Sequence, residues 1–134
     1  MNLTNEEMMD FLRNKDIRPS NIRLKVLKYL LNNITHPTVD DIYNRLSNEI
    51  PTLSRTSIYN TMKLFKEKGV VNELSLNEKE IRYDINTNFH GHFKCEKCGM
   101  IYDFPVTESL DNMEGFVINS KSINYYGICA KCNK

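Results

Sequence analysis

The residues best suited to chemistry lie between Phe89 and Asp103, in the stretch FHGHFKCEKCGMIYD. His90 and His92 are two positions apart, so on an extended strand both imidazoles leave the same face. Cys95 and Cys98 follow in a C-x-x-C spacing with Gly99 behind them, where a residue without Cβ relieves the tight knuckle that wraps an ion. A second C-x-x-C, Cys129 and Cys132, comes near the end of the sequence, and Asn133 stands where Gly99 stands after the first pair. Asn is the next-best tolerated residue in a left-handed turn. Two thiolate pairs on two knuckles make the S4 tetrahedron that suits Zn²⁺ at about 2.3 Å. With all four positions supplied by protein, such a site is closed and structural.

The histidines allow two readings. A lone H-x-H is more often a pair of surface strand residues than a ligand pair. Asp84, six residues before His90, and Asp103, beyond the knuckle, fall where hairpin pairing can bring a carboxylate beside the imidazoles. Neutral imidazoles with two carboxylates form a hard, oxygen-rich site that suits Fe²⁺ or Mn²⁺ and can keep one coordination position open. His36, the third histidine, lies far earlier, at a bend before Pro37.

The rest of the chain must position these groups. Its 134 residues suffice for one ordinary core or two small lobes. The 18 Lys and Arg nearly balance the 17 acids, but unevenly: residues 11–72 carry eleven basic side chains against five acidic ones. No apolar run approaches the roughly 20 residues that span a bilayer, and the acids at Glu6, Glu7 and Asp10 are unlike the basic start of a signal peptide. The expectation is a cytoplasmic protein with no membrane partner. In that reducing compartment four cysteines in two C-x-x-C pairs read as a metal site, not a disulfide framework.

The first half has helical periodicity. Met8, Met9, Phe11 and Leu12 predict a helix over 5–15, with Thr4 and Glu7 at capping-box spacing. Leu24, Leu27, Leu30 and Leu31 predict a second over about 20–33, buried along one stripe. Pro37 interrupts the pattern, and Thr38 can cap a third helix over about 39–48, with Val39, Ile42, Tyr43 and Leu46 on one side. A fourth opens at Ser54 and stops at Gly69. At about 100° per residue its core face is Ile58, Thr61, Met62 and Phe65, and its outer face Thr56, Tyr59, Asn60 and Lys63. Residues 72–84, with a turn at Asn77-Glu78-Lys79, read as a hairpin. Helix, helix-turn-helix and wing, on the segment that carries the basic surplus, point to double-stranded DNA.

After the polar linker 85–88 the composition changes. Short strands are expected at 92–95, 100–104, 115–119 and 123–128, with one helix over 106–113 capped by Thr107 and turning Leu110 and Met113 inward. So thin a core calls for a metal staple, a partner subunit, or both. The domains are therefore 1–84 and 89–134, and the fold class is α+β. No Ser-His-Asp or Cys-His set is present, so an enzyme is not expected. A zinc-ribbon interaction module that does not bind DNA would explain the cysteines and leave the helical half without a task.

The order H-P-T-x-D-D-I-Y (36–43), S-R-T-S-I-Y-N (54–60), R-Y-D (82–84), H-x-H, C-x-x-C-G, I-Y-D-F (101–104) and G-I-C-x-x-C resembles the ferric uptake regulator family over nearly the whole chain. The resemblance implies a homodimeric, metal-dependent repressor: an N-terminal winged-helix DNA-binding domain followed by a small α/β dimerisation domain with structural zinc. It also implies that His36, Asp84, His90, His92 and Asp103 bind a regulatory Fe²⁺ or Mn²⁺, that Cys95, Cys98, Cys129 and Cys132 bind Zn²⁺, and that Arg55, Tyr59 and Asn60 face operator DNA. Asp103, where iron-sensing members tend to carry Glu, is similar to the peroxide-responsive branch, in which iron-catalysed oxidation of a ligand histidine, here His36 or His92, releases DNA. A repressor of iron, manganese or zinc homeostasis is the alternative within the family. Asn21-Ile22 replaces the family's usual Pro-Gln, and the segment between Cys98 and Cys129 is shorter than in peroxide sensors.

Overall fold

The computed structural model describes residues 3–33, 35–76, 78–107 and 113–134. The chain divides into two compact units, Met1–Thr87 and Asn88–Lys134.

Among its described residues the first unit holds four helices and a hairpin: α1 (Asn5–Asn14), α2 (Asn21–Asn32), α3 (Val39–Leu46), α4 (Arg55–Glu67), β1 (Asn72–Leu74) and β2 (Arg82–Asp84). Local chemistry fixes the helix ends. Thr4 and Glu7 form the expected reciprocal capping box, and Thr38 with Asp41 forms another at α3. At the end of α4, Gly69 adopts φ +76°, with Val70 N–H bonded to the Phe65 carbonyl and Gly69 N–H to that of Lys66. This Schellman closure needs a left-handed residue, which is why Gly stops the helix. Helix α3 ends at Leu46, two residues short of the sequence expectation, in a turn that bonds Glu49 N–H to the Leu46 carbonyl.

The amphipathic faces converge on one core. Met8 and Leu12 of α1, Val26, Leu27 and Leu30 of α2, Ile42 and Leu46 of α3, and Ile58, Met62 and Phe65 of α4 are buried together. On α2 the buried stripe is centred on Val26, Leu27 and Leu30, whereas Leu24 and Leu31 are only half-buried. At about 100° per residue these two leucines lie on the shoulder of that stripe. The β1–β2 hairpin is antiparallel, pairing Asn72 with Asp84 and Leu74 with Arg82. Of the expected turn, Asn77 lies outside the described residues.

Among its described residues the second unit holds a three-stranded sheet in the order β4-β3-β5, with β3 (Gly91–Cys95) central, β4 (Ile101–Phe104) antiparallel to it and β5 (Asn124–Gly127) parallel. No strand forms over 115–119, contrary to expectation: Phe116 and Val117 are exposed, Val117 at 87%. A β-prone run becomes a strand only with a ladder partner, and both edges of β3 are already taken. Residues 108–112 of the expected short helix lie outside the described residues; Val106, Thr107 and Met113 are not helical, and Met113 faces solvent instead of turning inward. No helix among the described residues is long and apolar enough to cross a membrane.

Register gives one glycine a strict role. Gly91 pairs with Phe104, and a Cβ at 91 would collide with the Phe104 ring, which stacks on Tyr125 at 4.9 Å. Gly91→Ala is therefore expected to open the β3–β4 ladder, so that the Phe93 amide, which faces β4 as that of Cys95 does, and the Phe104 amide exchange hydrogen markedly faster while amides in α4 keep their protection.

Candidate metal centres and nucleic-acid interface

The two C-x-x-C pairs meet because β5 runs parallel to β3. Cys95 ends β3 opposite Gly127, and Glu96 N–H bonds the Gly127 carbonyl at 2.7 Å, so both knuckles leave the same end of the sheet. Ligand sulfurs from Cys95, Cys98, Cys129 and Cys132 all lie within 4.8 Å of one another. The Cys98 and Cys129 sulfurs are 3.8 Å apart, matching the edge of about 3.8 Å of a tetrahedron with Zn–S bonds of about 2.3 Å. Gly99, at φ +78°, turns the first knuckle and donates its N–H to the Cys95 carbonyl.

The electrostatics of the sulfurs call for a dication. Cys95 accepts N–H bonds from Cys98 at 3.4 Å and Cys129 at 3.3 Å, which pull its thiol down to about 6. Cys129 is lowered chiefly by the Tyr102 hydroxyl, which donates to its sulfur and is itself pushed up to about 12 by that bond. Cys132 is pushed up to about 12, first by its bond to Cys129 and then by burial. Four sulfurs this close cannot all ionise without a counter-charge, and Zn²⁺ takes the place of the protons they would otherwise share. The donor set therefore fits zinc.

The opposite end of β3 carries imidazoles. His92 pairs with Asp103 across the β3–β4 ladder, and His90, two residues earlier, falls on the same face. His90 Nε2 is 3.7 Å from one Asp103 carboxylate oxygen, and His92 Nε2 is 3.6 Å from the other. Both distances are too long for hydrogen bonds and near the separation of about 3.0–3.6 Å between neighbouring ligands on an ion with bonds of about 2.1 Å. His90 Nδ1 lies 2.6 Å from the Asn88 carbonyl. It donates there, which leaves the Nε2 lone pair toward Asp103. Asn124, in register with His92 across β5, has a buried Oδ1 with no hydrogen-bond partner among the described residues.

In the first unit His36 and Asp84 form a buried pair, exposed at 5% and 2%, with His36 Nε2 3.6 Å from Asp84 Oδ2. The sequence places them 48 positions apart. Wing strand β2 brings them together: Tyr83 N–H bonds the Pro37 carbonyl at 3.0 Å, and Thr38 bridges Arg82. His36 sits at φ +56°, a left-handed conformation that costs a non-glycine residue roughly 1–2 kcal/mol. Its carbonyl accepts from Arg82 Nη1 at 3.1 Å, and a bond from a charged donor is worth about 1.5–3 kcal/mol. The bond is thus enough to hold the strained residue.

Helix α4 separates its faces as expected. Ile58, Thr61, Met62 and Phe65 are buried, whereas Thr56, Tyr59, Asn60 and Lys63 face solvent, Tyr59 at 53%. Arg55, also exposed, donates Nε to Asp40 at 2.7 Å and lies over the Tyr43 ring at 4.3 Å, tying α4 to α3. Arginine keeps four further N–H groups for other acceptors.

Several positioning residues escaped the sequence reading. Tyr102 supports a thiolate, Asn88 orients His90, Gly91 admits the Phe104 ring, and Arg82 holds His36. Arg82 and Tyr102 lie inside the R-Y-D and I-Y-D-F motifs without their roles being readable there, and Gly91, enclosed in H-G-H, left a physical signal: small residues inside strands mark close approach.

Comparison with known proteins agrees with this arrangement. Residues 14–126 match the Ferric uptake regulator family. The peroxide-responsive repressor PerR of Staphylococcus aureus strain Mu50 is 37% identical over 133 residues, 95% of this chain and 90% of its own. The peroxide operon regulator of Bacillus subtilis strain 168 is 34% identical over 135 residues, covering 96% and 93%. Among solved structures, the Campylobacter jejuni peroxide stress regulator superposes with a TM-score of 0.69 at 28% identity, over 98% of this chain and 100% of that one. With both the sequence match and its two metal-ligand clusters in place, this chain belongs to the ferric uptake regulator family.

Proposed function

We propose that the chain is a metal-dependent transcriptional repressor that senses peroxide, acting as a homodimer on double-stranded operator DNA. The observation that carries this is the separation of two chemistries within one chain: a closed thiolate set for zinc, and a hard imidazole and carboxylate set built around Asp103. The peroxide response in the names of its relatives extends to this chain on that basis.

In this reading His36 and Asp84 of one unit and His90, His92 and Asp103 of the other serve one regulatory Fe²⁺ or Mn²⁺. Two donors alone, or three alone, leave the coordination of such an ion far from complete. Ligands drawn from both units restrict the angle between them, and in a two-fold dimer that angle sets the separation of the two α4 helices. Operator half-sites stand about one helical turn apart, so separation governs binding. A coupling of about 1–3 kcal/mol suffices to change occupancy. Thr56, Tyr59 and Asn60 reach base edges, and Lys63 and Arg55 reach phosphates.

Ferrous iron bound there would supply the reductive cleavage of hydrogen peroxide, with the oxidant released beside its own ligands. His36 and His92 are both nearly fully buried, which keeps that oxidant close to their rings. One of the two rings would gain one oxygen atom of the peroxide, the other oxygen leaving as water, and the oxidised imidazole would lose donor strength and with it the link between units.

The apolar side chains that the second unit leaves exposed, including Phe116, Val117, Tyr125 and Ile128, support pairing with a second copy of the chain. Zinc fixes the unit that carries them.

Brief peroxide treatment of the iron-loaded dimer should add oxygen to a peptide containing His36 or His92 by mass spectrometry and release operator DNA, with the manganese form unmodified. Equal oxidation of both metal forms, or oxidation confined to cysteines, would move the assignment to a homeostatic metal regulator or a thiol sensor. Tyr59→Ala should relax sequence preference by about 1–3 kcal/mol and leave a salt-dependent background, as read by titrating operator and random duplexes. Cys98→Ser should lose zinc and dimer together, since structural zinc contributes about 10–16 kcal/mol of apparent binding free energy to folding; a folded zinc-free dimer in sedimentation would refute the structural role.

A further inference from the structure

Arg82 is the side chain that joins the wing to a regulatory ligand. Its guanidinium forks onto Glu78, Nε to Oε1 at 2.7 Å and Nη2 to Oε2 at 3.1 Å, while Nη1 reaches the His36 carbonyl at 3.1 Å. Three donors of one rigid plane are committed in two directions, so the position of Glu78 sets that of the His36 backbone. The Arg82–Glu78 pair is about one-fifth exposed on each side, which limits competition from water.

The constraint falls on a residue that needs it. A residue before proline prefers extended backbone, and His36 departs from this at φ +56°. Its ring direction follows from that backbone. Were His36 to relax to the extended region, the imidazole would swing away from Asp84, which it now faces at 3.6 Å. Asp84 lies two residues beyond Arg82 on β2, so one short strand carries both a ligand and the group that aims the other ligand.

We propose that Arg82, anchored by Glu78, is the positioning residue that holds His36 in its metal-binding conformation and thereby couples the wing to the regulatory ion. This rests on the reading that His36 is a regulatory ligand. Arg82 touches no ion itself, and a cation near the site opposes metal binding electrostatically. Its contribution is therefore geometric: removal of a purely electrostatic neighbour would raise affinity, and removal of a positioning residue lowers it.

The experiment is Mn²⁺ titration calorimetry on the zinc-loaded dimer, arranged as a double-mutant cycle of Arg82→Ala and His36→Ala. In the native background Arg82→Ala should weaken Mn²⁺ binding about 10- to 100-fold with zinc content unchanged. In the His36→Ala background it should change affinity by less than about twofold, because the effect passes through His36. Arg82→Lys, which keeps the charge and loses the fork, should behave like Arg82→Ala. Glu78→Gln should weaken binding in the same direction, and it decides by the same cycle if Arg82→Ala does not fold. Native Mn²⁺ affinity in the Arg82 or Glu78 variants, or an equal loss in both backgrounds, would overturn the proposal. Native affinity in His36→Ala alone would instead overturn the five-ligand reading on which it rests.

Discussion

Four cysteine sulfurs gathered within 4.8 Å repel one another as soon as they ionise, and the second unit is organised around relieving that repulsion with a cation. Among its described residues the only buried apolar side chains are Cys95 and Cys129. Hydrophobic burial cannot hold so small a sheet, and a metal bond can. The strand order follows from the same need: β5 lies parallel to β3 so that both knuckles emerge at one end. That arrangement leaves the far end of β3 for His92 and Asp103. The zinc site and the imidazole site are thus two ends of one ladder, and a slip of one residue in register would turn the ligands to opposite faces.

The first unit is stabilised by different means. Its helices bury apolar faces in a common core, so it tolerates a polar and basic outer surface on α4. What it cannot obtain from helix packing is the pairing of His36 with Asp84. The wing supplies this through three contacts between 36–38 and 82–83: the Arg82 bond to His36, the Tyr83 bond to Pro37 and the Thr38 bridge. A wing is usually considered for its contacts with DNA. Here the same hairpin also shapes the backbone of His36, the ligand proposed above, so the two tasks would share a backbone.

Such sharing suits a regulator. On the role proposed for His36, a residue held in a strained conformation by a hydrogen bond would have two accessible states, one that binds the ion and one that does not. Operator contact that orders the wing would favour the first state, and metal would favour the wing conformation in return, since coupling between binding events is reciprocal. The charge pattern agrees with this division: the basic surplus lies over 11–72, and acids cluster on the hairpin and beyond.

Much of this was legible from residue types alone. C-x-x-C spacing announces a tetrahedral thiolate site because knuckle geometry is local. The capping box at Thr4, the cap at Thr38 and the glycine stop at Gly69 are equally local, each decided within about five residues. The two faces of α4 follow from helical period. The failures were non-local. Phe116 to Asn119 has the composition of a strand but no place on the ladder, and Met113 has the composition of core but faces solvent. The parallel sense of β5, the left-handed turn at His36 and the bond from Arg82 across 46 positions have no signature in neighbouring residues. Sequence by itself determined which side chains can bind metal and which helix can face DNA, because donor chemistry and helical period belong to short segments. Only the tertiary structure decided which donors share a face and what holds them there, because those contacts join residues that are distant along the chain.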